Sequence, residues 1–85
     1  DFAHPVVILK KFNLDACLVI PLTARPKKGK YYFSVGSIEE REAVAVLSQI
    51  RFLDRKRLTN KICTLDEKLF HLLVKTVIKV DFGSS

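Results

Sequence analysis

The chain has 85 residues, with 15 Lys and Arg against 9 Asp and Glu, which leaves a formal charge of +6. A chain of that length buries roughly 60 to 65 % of its unfolded surface, enough for one small domain but not for a second lobe or a deep cofactor cleft. An apolar share of 48 % with three Gly and three Pro excludes a disordered chain, and the apolar runs at 5–9 and 17–22 fall far short of the roughly 20 residues of a bilayer-crossing helix.

Pro5 precedes Val6-Val7-Ile8-Leu9, and a proline at the first position of a strand costs little because its missing N–H is not needed there. A first strand is therefore predicted over 6–9, closed by Lys10-Lys11-Phe12-Asn13. A second apolar run, 16–22, follows Asn13-Leu14-Asp15, which is short enough for a hairpin turn. After the Lys27-Lys28-Gly29-Lys30 loop, residues 31–35 read as a third strand. Residues 36–41 read as a turn. Residues 43–48 and 49–53 then read as one long strand with a bend, leading to the basic segment 54–57, and Lys61-Ile62-Cys63 as a short pairing piece.

The last element has the clearest periodicity. Thr64-Leu65-Asp66-Glu67 matches a capping box with Thr64 as the cap, and Leu65, Leu69, Leu72, Leu73, Thr76, Val77 and Val80 form a stripe at helical spacing. Phe70, Val74 and Ile78 form a second stripe. So much apolar circumference on a small domain predicts a homodimer contact through this helix. The fold class expected is mainly β with a C-terminal α-helix: a small, strongly bent antiparallel sheet or barrel, covering 1–82 as a single domain with a tail at 83–85. A doubly wound α/β fold is disfavoured, because no connection before residue 64 is long and periodic enough to be a crossover helix.

Cys17 and Cys63 lie in apolar runs without CxxC spacing, so buried free thiols are expected and neither a metal site nor a cofactor is written into the chain. No secretory leader pattern is present, which predicts a cytoplasmic protein. A start without Met and an end at Gly83-Ser84-Ser85 suggest that the termini are not the natural ones.

The positive charge is concentrated. Arg25, Lys27, Lys28 and Lys30 lie within 25–36 without an acid, and Arg51, Arg55, Lys56, Arg57 and Lys61 lie within 51–61 against Asp54 alone. If folding joins the two stretches they make a groove for a polyanion; otherwise they are solvated loops that maintain solubility. Gly-rich phosphate loops, HExxH and GxSxG are absent. In a hairpin turning at 13–15, His4 and Thr23 fall near the open end. An imidazole and a hydroxyl beside Arg25, Lys27 and Lys28 suffice for metal-independent attack of an RNA 2′-hydroxyl on its own phosphate. The plainer alternative is that Thr23 satisfies a turn and His4 a sheet edge.

Four blocks in register, Asp1 to Asn13, Ile20-Pro21-Leu22-Thr23, Leu47-Ser48-Gln49-Ile50-Arg51 and Lys56-Arg57-Leu58, resemble the PemK/MazF-type toxins of bacterial type II toxin–antitoxin systems. The resemblance runs from residue 1 to about 80. It implies an SH3-like small barrel, a homodimer, and a metal-independent endoribonuclease that cleaves single-stranded RNA and is held in check by a cognate antitoxin. It also implies that Thr23 matches the family's catalytic threonine and that Gln49 and Arg51 flank the substrate groove. Catalytic residues His4 and Thr23 and RNA contacts Arg25, Lys27, Lys28, Gln49 and Arg51 are the resulting expectations. Phe12, Tyr31 and Tyr32 are candidates for base stacking, with burial in the core as the plainer role.

Two departures stand out. His4 occupies the position where the family pattern has Arg, and imidazole lacks the guanidinium fork that holds phosphate in two places. The family's further strand before this point is also absent from the sequence, which predicts an unpaired sheet edge. The competing reading is a non-catalytic module of the same fold that binds RNA or an antitoxin peptide. A third assigns the charge to solubility alone.

Overall fold

A computed structural model of the chain describes residues 5–25 and 28–83. The β-branched run after Pro5 forms strand β1 (Val6–Lys11), and the second apolar run forms β2 (Ala16–Thr23). The turn between them is set by Asn13, whose Oδ1 accepts the backbone N–H groups of Asp15 at 2.7 Å and Ala16 at 2.8 Å. That is the side-chain mimicry of a backbone turn for which asparagine is favoured. Strands β3 (Tyr32–Ile38), β4 (Arg41–Val46) and β5 (Arg51–Asp54) follow, and the chain ends in helix α1 (Glu67–Asp81). The bend expected in the long fourth segment is a single 3₁₀ turn, Leu47–Gln49, and the basic segment Arg55–Arg57 is another.

Strand β2 is the pivot. It pairs with β1 along one edge; along the other, its first half pairs with β5, from Ala16 opposite Asp54 to Val19 opposite Arg51, and its last two residues pair with β4. Because one strand serves two neighbours along the same edge, the sheet curls over itself into a half-barrel. All strand pairs are antiparallel, and the Lys61-Ile62-Cys63 piece joins β1 through a parallel bridge at Val6, with Val6 N–H donating to Lys61 O and Cys63 N–H to Val6 O, both at 2.8 Å. The mainly-β class with one C-terminal helix is the fold of the protein.

The concave face closes on the helix. Leu73 and Val77 pack with Val7, Ile20, Leu22, Val35, Ala43, Ala45 and Leu47, and Leu65, Leu69, Phe70 and Val80 extend the contact. A smaller cluster of Val6, Cys17 and Val19, with Ile8, Leu53 and Leu58, fills the opposite face of β1, β2 and β5. Cys17 and Cys63 are both buried free thiols.

Three expectations change. The cap of α1 is Asp66 rather than Thr64: its Oδ1 accepts Leu69 N–H at 2.9 Å, and a carboxylate there also meets the positive end of the helix dipole. Leu72 lies 53 % exposed instead of on the core stripe, since Leu73 and Val77 set the inward direction. Residues 36–41 are not one turn. Gly36, at φ +84°, forms a bulge in β3 opposite Ala43, the strand runs on to Ile38, and only Glu39 and Glu40 make the turn. The glycine's conformational freedom is spent on the bulge, and the turn narrows to two residues of the stretch read as one.

Candidate functional site

Thr23 is the last residue of β2. Its backbone pairs with Val44, and on the far side of β4 Ser34 pairs with Val44 and Tyr32 with Val46. Paired residues in a sheet point to the same side, so Thr23, Ser34, Tyr32, Glu42, Val44 and Val46 share the face of β4 turned away from the helix. Half-buried Thr23 stands at the edge of that face, where the chain leaves the sheet. Its Oγ1 accepts the backbone N–H of Arg25 at 3.2 Å. The hydroxyl proton and a second lone pair remain available.

Two clefts meet at this point, and Thr23 and Arg25 line both. One, of about 410 Å³, is walled by Pro21, Tyr32, Val46 and Gln49. The other, of about 490 Å³, is walled by Pro5, Ile38, Glu39, Arg41 and Glu42. Gln49 reaches the first cleft because the 3₁₀ turn Leu47–Gln49 swings the chain from β4 to β5 beside Tyr32, a path held by Leu47 N–H donating to Tyr31 O at 2.7 Å. Pro5 borders the second through the open end of the first hairpin, where Leu22 N–H donates to Pro5 O at 2.8 Å.

Of the residues singled out from the sequence, Thr23, Arg25 and Gln49 converge on one cleft. Arg51 is exposed opposite Val19, four residues back along β2 from Thr23 and roughly 13 Å of strand away. Lys28 is exposed in the loop before β3 and lines neither cleft. His4 and Lys27 lie outside the described residues.

The two basic stretches do not merge into one groove. Arg55–Arg57 sit at the hairpin end of β2, with Arg55 N–H donating to Asp15 O at 2.7 Å, and β2 separates them from Thr23 by roughly 23 Å. Lys61 is drawn into an ion pair with Glu39. The separation follows from antiparallel pairing: β5 runs back along β2, so only its start lies toward the cleft.

Of the three candidate stacking aromatics, Tyr32 lines the first cleft. Phe12 is 47 % exposed and packs against Phe52 with ring centroids 5.2 Å apart, at the far end of the sheet. Tyr31 is exposed beside the C-terminal end of α1. Neither of these is a core residue. The sequence reading missed Glu42, Glu39 and Arg41 as cleft residues. Glu39 and Arg41 fell in the stretch read as a turn, and only the pairing of β4 with β2 brings Glu42 onto the side of Thr23. Among the described residues no helix is long and apolar enough to cross a membrane, and no three His, Cys, Asp or Glu side chains converge.

The family model for PemK-like, MazF-like toxins of type II toxin–antitoxin systems matches residues 1–80. No curated protein matches the chain.

Proposed function

Because the chain belongs to the PemK-like, MazF-like toxins of type II toxin–antitoxin systems, we propose that it is an endoribonuclease that cuts single-stranded RNA without a metal ion and is inhibited by a cognate antitoxin. The observation that carries the reading is the convergence of Thr23, Arg25 and Gln49 on one solvent-open cleft. The RNA 2′-oxygen attacks the adjacent phosphorus, the P–O5′ bond breaks, and the products are a 2′,3′-cyclic phosphate and a 5′-hydroxyl. His4 takes the 2′-hydroxyl proton, and O5′ leaves with a proton from solvent. The Thr23 hydroxyl and the Arg25 guanidinium donate hydrogen bonds to the non-bridging oxygens, where charge builds up in the phosphorane. Lys27, Lys28 and Arg51 hold neighbouring phosphates by charge alone.

His4 stands where the family pattern has Arg, so His4→Arg is expected to raise the rate by supplying a bidentate phosphate donor, with solvent then taking the 2′-hydroxyl proton because a guanidinium stays protonated. A homodimer through α1 belongs to the same reading, supported by the exposure of Leu72, Ile78 and Phe82 on the helix and just beyond it. A second reading, a non-catalytic module that binds RNA or an antitoxin peptide in the same clefts, is favoured by the engagement of Thr23 Oγ1 in its own turn.

The test is incubation with mixed-sequence single-stranded RNA in chelator. Cleavage that leaves cyclic phosphate ends, is lost in Thr23→Ala and persists in Thr23→Ser establishes the enzyme. Tight, salt-sensitive binding with intact RNA establishes the module instead.

A further inference from the structure

The two clefts differ in chemistry, and the point they share is the proposed phosphate site. The first offers the face of Tyr32 and the amide of Gln49, which both donates and accepts. The second offers carboxylates, which only accept, at a rim beside the apolar residues Pro5, Leu22, Ile38 and Ala43. Within it Glu39 is already paired with Lys61, whereas Glu42 has no ion-pair partner among the described residues. Arg25 and Arg41 in the same walls offset the negative charge, so the cleft is not closed to nucleic acid.

A single strand whose phosphate sits at Thr23 and Arg25 has one flanking base on each side of that phosphate. Bases of unpaired RNA are splayed out, stacked on aromatic or guanidinium planes and read along their Watson–Crick edges. Building on the ribonuclease reading, we propose that the two clefts are a pair of base subsites straddling the scissile phosphate, and that Glu42 makes the second selective for a base with an exocyclic amino group. The Tyr32–Gln49 cleft stacks its base and accepts several identities, because the Gln49 amide matches either polarity of edge. In the Glu42 cleft a carboxylate accepts from the amino groups of guanine, adenine or cytosine. Guanine fits best, since its N1–H and N2–H donors lie side by side and match the two carboxylate oxygens. Uracil is rejected: its lone N3–H is flanked by two carbonyl oxygens whose partial negative charges face the carboxylate.

The experiment maps every cut made by the wild-type protein, Glu42→Gln and Glu40→Gln in a randomised single-stranded RNA pool. It also measures the affinity of Thr23→Ala for short RNAs that differ in one base next to the central phosphate. Expected for the wild type is at least tenfold depletion of uracil at one fixed position adjoining the cut, with guanine enriched there. Glu42→Gln, whose amide can pair with uracil, is expected to erase that depletion while cleavage remains; Glu40→Gln, in the adjoining turn but outside the cleft, is expected to leave it unchanged. Uracil tolerance in the wild type, or an unaltered profile in Glu42→Gln, overturns the inference. Absence of any Thr23-dependent cut overturns the ribonuclease reading alone, and the Thr23→Ala affinities then decide the base preference: tenfold weaker binding of the uracil ligand supports it, and equal binding overturns it. Glu42 is exposed, so its substitution leaves the core untouched.

Discussion

The Thr23 hydroxyl accepts the backbone N–H of Arg25 at 3.2 Å, which fixes the direction in which the chain leaves β2 and sets the Arg25 side chain against both clefts. The hydroxyl that forms this turn is the one the proposed mechanism places at the phosphate. One acceptor lone pair is used by the backbone, which leaves the hydroxyl proton free to donate to whatever fills the cleft.

Arg25 is expected to act on affinity through charge. Arg25→Ala should weaken binding of single-stranded RNA by about tenfold at low salt and lower the slope of log affinity against log salt by about one phosphate equivalent, roughly 0.7. Arg25→Lys should restore the slope but less of the affinity, since an ammonium lacks the planar fork. Filter binding or fluorescence anisotropy across a salt series reads both quantities.

The turn at Glu39 and Glu40 should yield stability when replaced. Both residues have positive φ, 52° and 68°, the pair of left-handed conformations of a type I′ hairpin turn, where Asn-Gly is the favoured sequence. Glu40→Gly removes a Cβ penalty and is expected to raise stability by about 1 kcal/mol, visible as an increase in Tm. Gly36→Ala should have the opposite sign. Nothing lies within 4 Å of a Cβ built there, so its cost comes from φ +84° alone.

Leu73 is the fully buried helix residue of the main core cluster. Leu73→Ala is expected to cost about 2 to 5 kcal/mol. Leu72→Ala, one position away and half exposed, is expected to cost well under half of that in the monomer. A large loss at Leu72 that depends on protein concentration would instead mark a dimer contact. Urea melts at two concentrations separate the cases.

Asp81 ends α1 with one carboxylate oxygen, Oδ2, out of contact with solvent and without a hydrogen-bond partner. Burial disfavours the charged form and raises its pKa above the ordinary 3.8. The folded state therefore holds this proton more tightly than the unfolded chain does. The contribution to stability is fully present below pH 3.8 and is lost as pH rises through the raised folded value. Asp81→Asn is expected to stabilise the protein near neutral pH and to remove this part of the acid-range pH dependence, as measured by melts from pH 3 to 7. The negative end of the helix dipole acts in the same direction.

Local chemistry determined the elements. Asn13 made its turn legible, the β-branched runs made β1 and β2 legible, and the spacing of Leu69, Leu73 and Val77 gave the helix, because each depends on neighbours within a few residues. The identity of the cap was less so, since Thr64 and Asp66 are both good caps and only packing of the first helical turn chose the aspartate. Thr23 and Gln49 stood out through sequence blocks and Arg25 through its basic stretch, and the fold brings the three to one cleft. What only the tertiary structure decided is which charges and acceptors share a surface. Antiparallel pairing carried Arg55–Arg57 away from the cleft and brought in Glu42, and a strand's faces are assigned by its partners rather than by its own residues. The sequence determined one small basic β domain with a terminal helix; the curl of β2 between two neighbours decided that its threonine stands where two unlike clefts meet.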